Sequence, residues 1–321
     1  MAADVSFDAA LQGALIELEE QRKVISGLKT RSYLFIGIGV LIIAAGFYLG
    51  NLLVAGAILG GILLIAGIYF LSKAGQQFND YRHSFKHRVI SAALKSIDQS
   101  MDIDYHSGMS EQDFIYSQLF TQRPDRYSSQ DQIYGTAVKT KFSFSEVHAE
   151  YKTVTQTKNG RQEHWHTILK GIVFCADFNK NFNGITIIRP KDMGSAFGAW
   201  ISEKIPLFSS SERDIVKLES PEFNKKFITY STDQVEARYI LTPAMMERLC
   251  KLDDSSRYSI SVSFIDSYVY IAFPLDKDYF EPPVFKSLLD QKSVNEDLDV
   301  IRFMYGIIAE LDLNTRVWTK Q

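Results

Sequence analysis

The sequence predicts an α+β protein that begins with a transmembrane helical hairpin and continues as a mixed domain with antiparallel β-hairpins. Two apolar runs without a charged residue, 33–50 and 52–71, predict the transmembrane hairpin. Two turn signals, Asn159-Gly160 and Asp266-Ser267, each lie between strand-forming stretches and predict β-hairpins. Because hairpins dominate and helices are mixed among them, the pattern favours α+β over a doubly wound parallel sheet.

The two apolar runs are each close to the length of about 20 residues that a bilayer-spanning helix needs. One continuous helix through both runs would be about twice the thickness of a bilayer, so the chain should reverse near Gly50 and Asn51. Both residue types adopt the left-handed conformation of a tight turn. A first run that starts at residue 33 and is followed at once by a second is not typical of a cleaved signal.

The distribution of charges in and around the hairpin predicts its orientation in the membrane and argues against a role in transport. Neither run contains an ionisable side chain of the kind that ion and proton pathways use, so a transporter or channel is not expected. Basic residues flank both outer ends, and such residues stay on the cytoplasmic side of a bacterial inner membrane. Both termini are therefore expected in the cytoplasm. The basic residues are Arg22, Lys23, Lys29 and Arg31 before the hairpin and Lys73, Arg82, Lys86 and Arg88 after it.

The expected organisation has four parts. Residues 1–32 form a cytoplasmic amphipathic helix, 33–72 the hairpin, 73–105 a juxtamembrane helix and 106–321 a cytoplasmic α+β domain. Apolar residues at heptad-like spacing support both flanking helices, from Phe7 to Leu28 and from Phe78 to Ala92. These helices can pair with each other as a stalk or form a coiled coil with another chain, and the sequence leaves both open.

Four glycines with small-xxx-small spacing predict close helix packing in the membrane. Gly46 and Gly50 form one pair, and Gly56 and Gly60 form the other. Packing within one hairpin and packing between two copies both use such glycines, so a homo-oligomer remains open.

The domain contains several further local signals. Capping-box spacing predicts helix starts at Ser110, Ser231 and Ser293, and Thr242 before Pro243 predicts another. Expected strands lie at 143–157, 162–178, 184–189, 215–218, 227–230, 239–241, 258–264 and 268–273. The segment 193–208 is ambiguous. Phe197, Trp200 and Lys204 give it either a core-packing face or a membrane-interface contact.

The composition excludes several classes of protein. A net charge of −3 gives no basic footprint for nucleic acid, and two cysteines exclude a disulfide scaffold. No zinc motif, phosphate-binding glycine-rich loop or nucleophile elbow occurs. His164 and His166 share one face of a predicted strand, but the expected register opposite Thr155 and Thr153 brings no third ligand near. No catalytic residue, cofactor or metal ligand is therefore expected.

One block of the sequence resembles an uncharacterised bacterial membrane-protein family, known as a domain of unknown function. The block consists of Glu219-Ser-Pro-Glu-Phe-Asn-Lys-Lys-Phe227 and Tyr230-Ser-Thr-Asp-Gln-Val-Glu-Ala-Arg-Tyr-Ile-Leu-Thr-Pro243. The resemblance implies an N-terminal helical hairpin and a cytoplasmic α+β domain, and it implies no catalytic residue. Within the block, Glu236 and Arg238 either form a buried ion pair before an apolar strand or contact an anion or a partner carboxylate.

These observations favour a membrane-anchored, non-enzymatic scaffold or adaptor that contacts the lipid bilayer and binds a protein partner, with self-association left open. One alternative is a membrane-tethered enzyme acting on lipid or peptide through a site assembled from distant residues. Another is a lipid-sensing domain that turns segment 193–208 and the basic stretch after Lys73 towards the bilayer.

Overall fold

The computed structural model of the chain describes residues 9–50, 52–157, 160–178, 180–191 and 214–313. The chain divides into two compact units. The helical unit contains the residues up to Ala93 together with Phe280–Asp299. The sheet unit contains Leu94–Tyr279 and the residues from Val300 onward. The chain therefore passes between the units at three places, after Ala93, Tyr279 and Asp299.

The helical unit is built on two long antiparallel helices. Helix α1 spans Ala9–Leu49 and helix α2 spans Leu53–Phe85, and Gly50 between them adopts a positive φ of 64°. A π-helical turn at Lys86–Ile90 joins α2 to α3, Ser91–Ile97, so that helical structure continues through 45 residues. Both long helices are apolar enough to cross a membrane, and only 17% of each apolar window is buried. They therefore differ from the core helices of soluble proteins, which bury most of their surface.

Outside the apolar runs, α1 and the helical segment after residue 72 pack against each other as a stalk. The buried apolar residues of the stalk include Ala14, Leu18, Ile25 and Leu28 on one side and Ala74, Tyr81, Phe85 and Val89 on the other. At the start of the apolar run, the buried Ser32 hydroxyl donates a hydrogen bond to the Gly67 carbonyl at 2.8 Å. These residues repeat at helical spacing, which explains the predicted apolar seams.

The sheet unit contains one antiparallel sheet, with nine strands among the described residues, in the order β1-β2-β3-β4-β9-β8-β5-β7-β6. The strands are β1 Asp102–Asp104, β2 Arg126–Ala137, β3 Thr140–Thr157, β4 Gly160–Asp177, β5 Thr186–Pro190, β6 Asp214–Ile215, β7 Phe227–Ser231, β8 Ser261–Ile265 and β9 Tyr268–Pro274. The remaining helices are α4 Glu111–Tyr116, α5 Pro221–Lys226, α6 Gln234–Ile240, α7 Pro243–Ser255 and α8 Gln291–Glu310. The predicted α+β class is confirmed.

Both faces of the central strands are covered. One face forms a core that includes Phe114 of α4, Val147 and Ala149 of β3 and Ile168 and Val173 of β4. On the other face, the C-terminal half of α8 lies against aromatic residues of the sheet. The Tyr305 ring is 5.9 Å from that of Phe142, and the Phe303 ring is 5.4 Å from that of Phe273. The sheet is thus packed between helical residues on its two sides.

Several local predictions are confirmed and others are wrong in detail. The Ser110 hydroxyl caps α4 by accepting the Asp113 N–H, and Asp266-Ser267 forms a two-residue turn between β8 and β9. In the β3–β4 hairpin, Thr157 pairs with Gly160, so the two strands have a different register from the one that a turn at Asn159-Gly160 predicts. As a result, His164 lies opposite Thr153 and His166 opposite Tyr151, not opposite the predicted partners.

Helix boundaries show similar differences. Asp233 rather than Ser231 caps α6, and α6 continues to Ile240, so the strand predicted at 239–241 is wrong. Helix α8 begins at Gln291, before the predicted cap at Ser293. Helix boundaries are specified less well by local sequence than the helices themselves, because most of the stability of a helix in a protein comes from tertiary packing.

Candidate functional site

The β3–β4 hairpin extends well beyond the rest of the sheet. Strand β2 pairs with β3 only as far as Glu150, and β9 pairs with β4 only from Gly171 onward. Residues 151–157 and 160–166 pair with each other and, within the described part of the chain, with no other strand. We call this two-stranded extension the arm. At about 3.4 Å per residue, its seven-residue strands extend for roughly 24 Å.

One face of the arm carries Trp165 and Val154, whose side chains are 39% and 45% exposed. The Arg126 guanidinium lies 4.0 Å from the centroid of the Trp165 ring, and the Lys152 ammonium lies 5.6 Å from it. Arg126 is itself held by Glu150, with an Nη1 to Oε2 distance of 2.9 Å. Cations over an indole ring attract its face, so these contacts favour the orientation in which Trp165 is partly exposed to solvent.

The opposite face of the arm carries Tyr151, Thr153, His164 and His166. The rings of Tyr151 and His166 stack with centroids 4.9 Å apart, and Nε2 of His166 is 2.8 Å from the Thr153 hydroxyl. These cross-strand contacts supply the side-chain pairing that a hairpin needs, since an isolated pair of strands is only marginally stable. Among the described residues, no group of three or more His, Cys, Asp or Glu is arranged to hold a metal ion.

An exposed two-stranded arm offers two kinds of contact to another molecule. Its outer edges expose backbone groups to which an extended segment can add as a further strand. Near the base of the arm, the Asp125 carboxylate accepts the Lys152 N–H at 2.7 Å, which limits strand addition to the part beyond Lys152. The Trp165 face adds an oriented aromatic ring, and tryptophan and arginine are enriched among residues that dominate binding energy.

Residues 167–313 match a family model described as "Protein of unknown function (DUF3137)". The matched residues include the block 219–243, on which the predicted resemblance depends, so the resemblance to a family of unknown function is confirmed there. No curated protein sequence is significantly similar to this chain.

The chain also has a weak structural similarity to the mycobacterial trehalose monomycolate transport factor A, TtfA. The two structures superpose with a TM-score of 0.36 and 12% sequence identity, covering 69% of this chain and 93% of the other. A similarity of this size assigns no function.

Glu236 and Arg238, the sequence-predicted contacts for an anion or a partner, have separate partners in the structure. The Glu236 carboxylate accepts the backbone N–H of Asn183 at 3.1 Å and that of Gly184 at 2.7 Å, and it lies 3.9 Å from the Lys180 ammonium. The Arg238 guanidinium donates to the Gln234 carbonyl and side chain, one helical turn earlier. Glu236 therefore holds the segment before β5, while Arg238 stays on its own helix.

The other predicted site residues are in the helical unit or outside the described residues. A Cβ atom built on Gly56 would lie 3.1 Å from the Gly46 Cα, and one on Gly60 would lie 2.7 Å from the Gly39 carbonyl, so these glycines allow α1 and α2 to approach. Gly50 is in the turn. Phe197, Trp200 and Lys204 lie outside the described residues.

A second polar site, which the sequence did not identify, lies on the stalk. Residues 280–289, which we call the strap, contact the stalk through both backbone groups and side chains. The Val284 carbonyl accepts a 2.8 Å hydrogen bond from the Arg22 guanidinium, and the Pro283 carbonyl accepts a 3.1 Å hydrogen bond from the Tyr81 hydroxyl. The Glu281 carboxylate lies 2.7 Å from the Lys86 ammonium. The hydrogen bond from Arg22 lowers the pKa of Glu19, and burial raises the pKa of the Tyr81 hydroxyl.

Proposed function

We propose that the chain is a membrane-anchored adaptor whose cytoplasmic domain binds a protein partner through the arm. The observation that carries the proposal is the arm itself, with open strand edges and a solvent-exposed Trp165 oriented by Arg126. A soluble domain gains little stability from such an extension, because most of its side chains are exposed. Binding a partner provides a physical reason for its presence.

The hairpin supports the anchoring part of the proposal. Its exposed apolar side chains include Leu41, Phe47, Ile58 and Ile65, which are more stable in lipid than in water. Basic residues at both outer ends favour a hairpin with both termini in the cytoplasm of a bacterium. The sheet unit would then lie on the cytoplasmic face of the inner membrane.

The arm also suggests the form of the partner. An extended segment that adds to the free edge of the arm would gain main-chain hydrogen bonds, and an apolar or aromatic side chain of that segment would contact Trp165 and Val154. The cations beside Trp165 would favour a partner that carries carboxylates next to this side chain. A second copy of the chain can also add its arm in this way, which would give a homo-oligomer.

Site-specific photocrosslinking in native membranes tests the proposal. A photoreactive residue at Val154 should give a discrete crosslinked product, and the product should be lost when Trp165→Ala is added. Val235, a 79% exposed valine on α6, is the matched control position and should give no such product. Equal crosslinking from both positions, or a product that does not depend on Trp165, would contradict binding through the arm.

A further inference from the structure

The arm has two outer strand edges, one on β3 and one on β4, and they are not equivalent. In an antiparallel ladder, the N–H and C=O groups of alternate residues point towards the partner strand, and those of the residues between them point away from it. Asp125 shows the direction in β3, because its N–H donates to the Glu150 carbonyl at 2.8 Å and its carboxylate accepts the Lys152 N–H at 2.7 Å. The even-numbered residues of β3 in the arm therefore direct their backbone groups away from β4.

The pairing register extends this alternation to β4. Lys152 lies opposite Trp165 and Val154 lies opposite Glu163, with no register shift between Glu150 and the end of the strand. The odd-numbered residues of β4 in the arm therefore direct their backbone groups away from β3, to the side on which β9 pairs with β4 further along the sheet. These residues are Arg161, Glu163 and Trp165, followed by Thr167 at the base of the arm.

The β4 edge presents the longer run of backbone groups to which a strand can add. Each of its four residues contributes one donor and one acceptor, and among the described residues no other strand pairs with them. On the β3 edge, Asp125 already occupies the Glu150 carbonyl and the Lys152 N–H. Beyond Lys152 this edge has only two outward-facing residues before the turn, Val154 and Gln156. An added strand therefore gains more main-chain hydrogen bonds on β4.

The side chains of the β4 edge determine which segment fits. Arg161, Glu163 and Trp165 lie on the same face of the arm, because they are two residues apart on one strand. The Arg161 side chain is 63% exposed although it lies 3.6 Å from the Glu163 carboxylate, which is also 3.4 Å from the Lys152 ammonium. A residue directly opposite in an added strand would have its Cβ about 5 Å away. An acidic side chain opposite Arg161 and an apolar one opposite Trp165 would complement this edge.

We propose that an extended segment of another protein adds to the β4 edge of the arm as an antiparallel strand, with an acidic residue opposite Arg161 and an apolar residue opposite Trp165. This contact rests on the proposed function of the arm and specifies its partner. Strand β9 is antiparallel to β4 where the two pair, so the segment continues the sheet in the same sense.

A second copy of the chain fits this edge less well than a segment of complementary sequence. When two such edges overlap completely as antiparallel strands, Arg161 of each copy lies opposite Thr167 of the other, and Glu163 lies opposite Trp165. This register places no opposite charges across from each other. A shift by one residue places the two Glu163 carboxylates opposite each other, which is destabilising.

Proline substitutions distinguish the two edges, because proline removes an N–H group and its ring blocks an approaching strand. Glu163→Pro removes an outward N–H on β4 and Gln156→Pro removes one on β3, and neither removes a hydrogen bond between the two strands. The readout is photocrosslinking of the full chain in native membranes from Val154, which lies opposite Glu163 and near both edges. Glu163→Pro should lower the yield of the crosslinked product about tenfold, and Gln156→Pro should leave it unchanged. Glu163→Gln removes the same charge but keeps the N–H, so its yield should stay well above that of Glu163→Pro.

A charge reversal gives a second readout that does not depend on proline. Arg161→Glu should lower the yield, whereas Lys141→Glu, which changes an exposed lysine near the other end of β3, should not. Thermal unfolding in detergent compares the two proline variants, and an equal apparent Tm shows that both arms are folded. If one of them is destabilised, the comparison of Arg161→Glu with Lys141→Glu decides.

The possible outcomes separate this contact from the proposed function. A product that depends on Trp165 but is unaffected by Glu163→Pro and Arg161→Glu would overturn strand addition on β4 and leave binding through the arm intact. A loss in Gln156→Pro alone would move the contact to β3, and a product of two differently tagged copies would identify a second copy, so either result overturns the proposal. If no product depends on Trp165, the proposed function fails and this contact fails with it.

Discussion

The Glu19 carboxylate and the Arg22 guanidinium lie one helical turn apart on α1 and share two hydrogen bonds, both 2.9 Å long. The same carboxylate accepts the Leu288 N–H at 2.8 Å and the Ser287 hydroxyl at 3.1 Å. One buried acid therefore joins the first helix of the chain to the strap, more than 260 residues later. Such a group is stable only while it stays ionised and fully hydrogen-bonded.

Glu19→Gln should destabilise the chain by about 2 kcal/mol at pH 7, because the amide leaves Arg22 without its buried counter-ion. The pKa of Glu19 is lowered in the folded state, so its contribution is present above the unfolded pKa of about 4.5 and is lost as pH falls below it. The apparent Tm difference between wild type and Glu19→Gln should therefore shrink from pH 6 towards pH 3. Thermal unfolding in detergent micelles measures it.

Glu20→Gln is the control for this prediction. Glu20 is exposed and pairs with the exposed Lys23 one helical turn away, so its loss should change stability by less than about 0.5 kcal/mol. Equal effects of the two substitutions would show that the strap contacts do not contribute to stability.

Gly60→Val should disrupt the packing of α1 against α2, whereas Gly61→Val should not. A Cβ at Gly60 would meet the Gly39 carbonyl and the Ile43 side chain, whereas nothing lies within 4 Å of a Cβ at Gly61. Overpacking of this kind costs about 1–3 kcal/mol, and the two substitutions add the same apolar surface to the same helix. A lower apparent Tm in detergent for Gly60→Val alone is expected. A similar decrease for both would contradict the close approach.

Glu146→Gln should make the chain more stable than the wild type at pH 8 and above. Because the pKa of Glu146 is raised to about 8, the folded state binds more protons than the unfolded state, and stability falls as pH rises from about 4.5 to 8. The amide keeps an acceptor for the Tyr279 N–H and does not ionise. The apparent Tm of the variant minus that of wild type should therefore rise across that range. A salt-bridged acid such as Glu19 contributes to stability with the opposite pH dependence. Glu163→Gln, on the exposed arm, should show no such trend.

Much of the architecture was predictable because it depends on local signals. The two apolar runs, the Ser110 cap and the Asp266-Ser267 turn each require only a few neighbouring residues, and the α+β class follows from them. The register of β3 and β4 differs from the predicted one, since Thr157 pairs with Gly160, because the local turn sequence does not fix the register and long-range pairing decides it.

The sites were harder to predict because distant residues form them. On the stalk, for example, the Pro283 carbonyl accepts a hydrogen bond from the hydroxyl of Tyr81, which lies 202 residues earlier in the sequence. The sequence predicts the hairpin of the arm. That the arm extends beyond the rest of the sheet depends on where the neighbouring strands β2 and β9 end, which the hairpin sequence does not contain. One signal was present for the buried acid of β3: Glu146 follows Phe142 and Phe144 on the same face of this strand, where an acid interrupts an apolar pattern.

The excursion of residues 280–299 into the helical unit determines how this polypeptide can be divided for experiments. A fragment cut from residue 106 onward would keep these residues but lose Glu19, Arg22 and Tyr81, and Leu288 would lose the helices that bury it. Conversely, the two long helices made alone would lack the partners of Glu19 and Lys86. Split-protein complementation, with residues 280–299 supplied in trans, is the dissection that the chain path allows.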